Sequence, residues 1–269
     1  MRPARVVRAV ALVALLAFTL FPAVWMLVTA FNPRANGGQL APSGITLENF
    51  RFVLDEGRFD TFLANSLTVA VGTVGVSAAI ALLAAVAVAR FRFRFRTSVL
   101  VMLLVVQMVP LEALVIPLFI QARGLQLLNS LIGLVVVYVA FSLPFAVWML
   151  RGFVAAVPME IEEAAYVDGA SWTRMFFTIL LPLVAPGLVA TSIFAFIVAW
   201  NEFIFAYTFM SDDAKYTAAV GLRYFFGLYT TNWGAVMAGS TLITIPVMVF
   251  FVLVQRRLTA GLVAGAIRG

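Results

Sequence analysis

Apolar residues gather along this chain in blocks of about 20 or more, the length a helix needs to cross a bilayer. Six such blocks stand out: Val6 to Ala30, Phe62 to Ala89, Thr97 to Ile120, Leu131 to Leu150, Leu183 to Met210 and Ala235 to Val254. They predict an all-α, polytopic membrane protein with six transmembrane helices, because only structures that satisfy their own backbone can sit in hydrocarbon. The chain then divides into a first span (1–30), an external loop (31–61), a core of five spans (62–254) interrupted by a polar loop (152–182), and a tail (255–269).

The polar loop breaks the pattern. Between blocks four and five runs "EAAYVDGASWTRMFFTILLP", Glu163 to Pro182. Pro158 suits a first helical position, Glu160, Glu162 and Glu163 fall where the helix dipole favours anions, and Gly169 suits a C-terminal cap. Pro158 to Asp168 is therefore expected as a helix too short to span. It turns at Gly169 into a second helix that starts from Ser171 and runs through Trp172, Arg174 and Phe177. Such a helix either lies on lipid or docks in a partner's groove. Its acidic face would be repelled by anionic headgroups, so charge favours docking.

Composition agrees with a bilayer protein: 64% hydrophobic residues, 11% charged and a mean hydropathy of +1.07. With no cysteine and no histidine, disulfides, thiolate chemistry, histidine-based metal sites and a histidine general base are excluded. The net charge of +6 reads as membrane topology. With a cytoplasmic N-terminus, 12 basic residues fall inside and six outside, which favours both termini in the cytoplasm and puts the polar loop there. Arg2, Arg5 and Arg8 before the first block, with Val28-Thr29-Ala30 at its end, resemble a signal peptide, yet the apolar stretch is too long for a typical signal core. A retained span is expected. "RFRFRFR", Arg90 to Arg96, reads as a tight cytoplasmic turn with arginines at lipid headgroups, and no nucleic-acid role is assigned to it.

Gly72, Gly75, Ser77, Ala78, Ala81, Ala85 and Ala89 give block two a small-residue face for close helix approach. Pro110 and Pro117 interrupt block three, and Pro144, Pro186 and Pro246 interrupt blocks four to six. Kinks of this kind fit a translocation path or ordinary bending. Four polar residues fall at membrane depth. Gln107 and Glu112 suit a cavity, an interhelical hydrogen bond or the interface, and Asn201 and Glu202 suit substrate contact or the capping and bridging of helices. The chain has no phosphate-binding G-x-x-x-x-G-K-[ST] loop and no G-x-G pair. Catalytic, cofactor-binding and metal sites are therefore not expected in it.

At Glu163-Ala164-Ala165, Gly169, Ile179, Leu181 and Pro182 the chain reads E-A-A-x3-G-x9-I-x-L-P. This resembles the signature loop of permease subunits in ABC importers. "FPAVWML", "ITLENF", "NSLTVA", "AWNEFIFA", "TNWGAVMAGS" and "QRRLTAGLVAGAIRG" narrow the resemblance to the maltose-permease-like second membrane subunit of carbohydrate ABC importers. The chain departs from that pattern only mildly, with Ile267-Arg268 where Val-Lys is common.

The resemblance implies a type I ABC importer permease bundle in a bacterial inner membrane. It also implies a paralogous permease, two ATPase subunits that bind ATP and magnesium, an extracytoplasmic sugar-binding protein and a sugar substrate. Glu163 would pair with a basic ATPase residue, Gly169 would set the elbow, and the tail from Gln255 would reach the ATPase. Ser211 to Trp233, with Tyr216, Tyr224, Phe225, Phe226 and Tyr229, reads as an aromatic belt on physics alone. By resemblance, Tyr224, Phe225 and Tyr229 would contact the binding protein. The competing readings are an ion-coupled carrier working alone and an embedded enzyme or scaffold.

Overall fold

A computed structural model describes residues 3–33, 44–227 and 230–266. Its helices are α1 (Pro3–Ala30), α2 (Glu48–Arg51), α3 (Phe59–Arg90), α4 (Arg96–Gln107), α5 (Val115–Gly124), α6 (Leu131–Ala156), α7 (Met159–Val167), α8 (Trp172–Met175), α9 (Leu181–Asn201), α10 (Ile204–Phe209), α11 (Ala218–Gly221) and α12 (Trp233–Ala266). Among the described residues the only β pairing is an isolated bridge between Phe226 and Thr231. Five stretches are long and apolar enough to cross a membrane: Val7–Ala30, Phe59–Arg90, Leu131–Ala156, Trp172–Asn201 and Trp233–Val254.

The third expected span, Thr97 to Ile120, is not one helix. α4 and the stretch Leu111–Gly124 meet at a bend of 94°. Pro110, extended at ψ 130°, causes the break, because it has no N–H for the i−4 carbonyl and biases Val109 away from helix. Pro117 interrupts nothing. It is the third residue of α5, where its missing N–H lacks an intrahelical partner anyway. Pro144, Pro186 and Pro246 lie inside continuous helices. The fifth span, Trp172–Asn201, lies earlier in the chain than the block Leu183 to Met210 suggests. α9 ends at Asn201, Glu202 is extended at ψ 129°, and α10 follows separately.

Two compact units divide the chain. The first (1–63 and 218–246) is organised around aromatic rings: Phe59 packs on Phe62 and Phe225, Phe52 packs on Phe225, and Tyr224 stacks on Phe62 at 5.9 Å. Asn49 Nδ2 donates to the Ala30 and Asn32 carbonyls, which secures the residues leaving α1. Gly234 is required there because a Cβ would strike the Asn49 amide.

In the second unit (64–217 and 247–269), α6 packs along α9 and α4. The closest approach comes at Gly187 of α9, where a Cβ would overlap the Phe153 ring of α6. The small-residue face of α3 is used selectively. Ala81 and Ala85 are fully buried, Ser77 Oγ accepts from Ser142 Oγ at 3.0 Å, and a Cβ at Gly72 would meet Val135. Gly75 faces open space. Below this seam, Leu150, Val154, Val157, Ala165, Met175, Phe176, Leu180 and Val184 join Ala81 and Ala85 in one apolar cluster that seats the polar loop.

Candidate functional site

The loop between α6 and α9 folds as a short helix, an elbow and a second helix start. α7 begins at Met159, so Pro158 (φ −58°, ψ 136°) stands one residue before the helix instead of at its first position. The elbow closes with two backbone bonds: the Ala170 N–H donates to the Ala165 carbonyl at 2.9 Å, and the Gly169 N–H donates to the Tyr166 carbonyl at 3.0 Å. This is a Schellman cap, which calls for a left-handed residue at the turn. Gly169 supplies it with φ +79°. Ser171 Oγ then accepts the Arg174 N–H at 3.3 Å and caps α8. From there the helix passes through a π-helical turn, Phe176–Leu180, into α9.

α7 has two faces. Glu162 and Ala165, three residues apart, are buried; Glu160, Ile161, Glu163, Ala164, Tyr166 and Val167 are exposed, Val167 at 88%. The residues of the E-A-A motif therefore separate by role. Glu163 and Ala164 point away from the bundle, whereas Ala165, Ile179 and Leu181 pack on the apolar cluster that seats the loop. Pro182, in the first turn of α9, is exposed. Ala165 is buried in that cluster, so a larger side chain there would press against it.

The inner face also carries a charge pair that sequence reasoning missed. Arg90 Nε donates to Glu162 Oε1 at 2.7 Å, and Nη2 lies 2.6 Å from the same oxygen. Nη2 also donates to the Val157 carbonyl at 2.9 Å. Arg90 thus turns into the fold, unlike the headgroup arginine expected of it in "RFRFRFR". Its 72-residue separation from Glu162 leaves no local signal, and only the Glu162/Ala165 spacing marks which acid faces inward.

The other expected site residues lie apart from this loop. Gln107 and Glu112 are exposed on either side of the bend in span three. Gln107 lines a largely apolar cavity of about 330 Å³ with Val106, Phe141, Pro144 and Phe194, and Glu112 is not among its lining residues. Asn201 Nδ2 bonds back to the Ile197 carbonyl of its own helix at 2.9 Å. Glu202 bridges helices. It accepts the Phe205 and Ala206 N–H groups at 2.9 and 3.1 Å, capping α10, and accepts the hydroxyl of the fully buried Tyr138 of α6 at 2.5 Å.

In the first unit, Phe225 is buried in the ring cluster, and Tyr224 and Phe226 offer exposed rings. Tyr224 and Phe225 line an open groove of about 900 Å³ that includes Asn49, Asn232 and Trp233. Tyr229 lies outside the described residues. α12 is helical to Ala266, and residues 267–269 lie outside the described residues as well.

Comparison with known proteins identifies the family. The model of the family described as "Binding-protein-dependent transport system inner membrane component" matches residues 77–263, which contain the whole loop. The chain is 40% identical over 253 residues to the diacetylchitobiose uptake system permease protein DasC of Streptomyces coelicolor, covering 93% of this chain and 92% of that one. It is 36% identical to the trehalose/maltose transport system permease protein MalG of Thermococcus litoralis (93% and 92% covered). It is 34% identical to the trehalose transport system permease protein SugB of Mycobacterium tuberculosis (94% and 93% covered). A crystal structure of a bacterial ABC transporter that imports alginate contains a chain with the same fold, at a TM-score of 0.81, 22% identity and 95% and 98% coverage. By its sequence along most of its length, this chain belongs to the family of inner-membrane components of binding-protein-dependent transport systems.

Proposed function

We propose that this chain is one of two paralogous membrane subunits of an ATP-driven sugar importer, and that α7 is the element through which two copies of a separate ATPase act on it. The observation that carries the reading is the two-faced α7, seated on the bundle by Glu162 and Ala165 and presenting Glu163, Ala164 and Val167 outward. Sugar as the substrate class rests on the names of the relatives, which specify diacetylchitobiose, trehalose and maltose.

The outward face fits a groove with a basic rim and an apolar floor. An exposed ion pair at Glu163 contributes only ~0–1 kcal/mol, whereas burying Val167 or Ile161 contributes about 1.5–3 kcal/mol each. Affinity therefore comes from the apolar residues, and Glu163 sets register. Closure of the ATPase pair on ATP moves α7, and the attached helices rock between inward- and outward-facing states. The loop and both termini face the cytoplasm in this scheme. The chain forms half of the path with its paralogue, with Gln107 and Glu112 at the bend assigned to that path or to the seam between permeases. Glu202 serves as a bridge. Tyr224, with its exposed ring, is the contact for the extracytoplasmic binding protein, and Phe225 supports it from the core. The tail from Gln255 adds to the ATPase interface. This chain hydrolyses no ATP; ATP and magnesium belong to the partner.

Family membership leaves the solitary ion-coupled carrier without support. Uptake into proteoliposomes decides between them, with trehalose, maltose and diacetylchitobiose as probes. Accumulation that needs ATP, the ATPase and the binding protein is expected. Accumulation by this chain alone, driven by an ion gradient and abolished by an uncoupler, would overturn the reading.

A further inference from the structure

The Arg90–Glu162 pair has no place in the docking surface, because both side chains face inward and are only 10% and 8% exposed. Nor is it an economical way to hold a helix. A buried ion pair loses most of its Coulomb gain to desolvation, and apolar residues of similar volume would seat α7 about as firmly. What a guanidinium does that an apolar side chain cannot is fix direction, since its donors diverge in one rigid plane. Here the fork spans three elements. Arg90 is the last residue of α3, Glu162 lies on the inner face of α7, and the Val157 carbonyl belongs to the residue that ends α6.

Apart from the fork, α7 is held by its two ends and by Ala165. At one end Val157 and Pro158 are extended, with ψ 119° and 136°. At the other end the capped turn at Gly169 closes on the last turn of α7, and a Cβ there would meet nothing within 4 Å. Between them, Ala165 offers a single methyl to the apolar cluster. A nine-residue helix hung between two backbone joints can rock about the line through its ends, and a methyl contact slides without resisting. Glu162 is the one inner-face residue with a directional bond.

We propose that Arg90 is a positioning residue for energy coupling: it stops α7 from rocking and delivers a push on its outer face to α3 as well as to α6 and α9. The inference rests on the reading of α7 as the ATPase contact. α3 carries that push onward through Ala81, Ala85 and the Ser77–Ser142 hydrogen bond to α6. Without the fork, motion of α7 reaches α6 and α9 through backbone alone, and α3 lags.

The chain lacks cysteine, so two introduced thiols label it uniquely in the complete complex with cysteine-free partners in nanodiscs. Spin labels at Leu83→Cys on α3 and Asp168→Cys beside the elbow, both exposed positions, report the α3–α7 distance by pulsed electron paramagnetic resonance, nucleotide-free and trapped with ATP and vanadate. The wild-type background is expected to give one narrow distribution that is the same in both states. Arg90→Lys and Glu162→Gln, which keep charge or shape, are expected to broaden it and to shift it on trapping. The exchange Arg90→Glu with Glu162→Arg is expected to narrow it again.

Narrow, unshifted distributions in Arg90→Lys and Glu162→Gln would overturn the proposal, as would a distance that changes on trapping in the wild-type background. A purely structural role would lower the yield or melting temperature of the variants and leave the distance in the surviving complex unchanged. If the wild-type complex neither holds an ATPase nor traps vanadate, the reading of α7 as the ATPase contact fails first, and that outcome is separate from a failure of Arg90.

Discussion

Replacing Gly169 tests how the elbow holds the docking helix, and the structure fixes the order of the variants. A Cβ at Gly169 meets nothing within 4 Å, so Gly169→Ala introduces no clash and its whole cost is the backbone at φ +79°. For a residue with a Cβ that conformation costs about 1–2 kcal/mol. Leaving it would forfeit the bonds from Ala170 to Ala165 and from Gly169 to Tyr166, each contributing about 0.5–1.5 kcal/mol. The two costs are comparable, so the alanine chain divides between a strained elbow and an opened one. Apparent affinity falls by the fraction of elbow lost. Asparagine tolerates the left-handed region better and loses less. Proline is fixed near φ −65° and has no N–H, so Gly169→Pro removes the turn and one bond together. Titrating the ATPase subunit against the permease pair in nanodiscs is expected to show a Kd raised about twofold for Gly169→Ala, since about half of that chain keeps the elbow, a smaller rise for Gly169→Asn and no measurable binding for Gly169→Pro. Wild-type affinity in Gly169→Pro would refute the reasoning, and so would an alanine variant as damaged as the proline one.

Three further outcomes follow from other parts of the molecule. Val167→Cys, at the most exposed large apolar side chain of α7, is expected to cross-link to the ATPase subunit with a short bifunctional thiol reagent, and its absence from the cross-linked product would contradict the orientation of the helix. Glu202→Ala strands the N–H groups of Phe205 and Ala206 and the Tyr138 hydroxyl. It should destabilise the detergent-solubilised chain by about 1–3 kcal/mol per stranded buried group, while Glu202→Gln loses less and Tyr138→Phe partly compensates for Glu202→Ala in thermal unfolding. Gly187→Ala presses a methyl into the Phe153 ring and should cost about 1–3 kcal/mol, with Phe153→Leu in the same chain recovering most of the lost melting temperature.

Much of the architecture is legible in the sequence because bilayer thickness sets the length of an apolar block, and punctuation at Pro158, Gly169 and Ser171 acts locally. The polar loop is legible for that reason. The 94° bend is not, since hydropathy is indifferent to direction and Pro110 alone does not distinguish a kink from a break. Pro144 and Pro186, inside continuous helices, make the same point from the other side. Glu202 announces itself as an acid at membrane depth, but its partner Tyr138 is 64 residues away. Arg90 reads as one of four alternating arginines until the fold brings Glu162 against it. Phe225 and Tyr224 look alike in sequence, yet one ring is core and its neighbour is surface. What resists reading is therefore pairing across distant segments.

ATP hydrolysis stimulated by the liganded binding protein, measured on the complete complex in lipid nanodiscs for wild type and for Glu163→Ala with Gly169→Pro, tests the central claim most directly. Stimulation in the wild type that vanishes in the double variant is the predicted result. Full stimulation in an intact double-variant complex would contradict the assignment of α7 as the element that couples this chain to its ATPase.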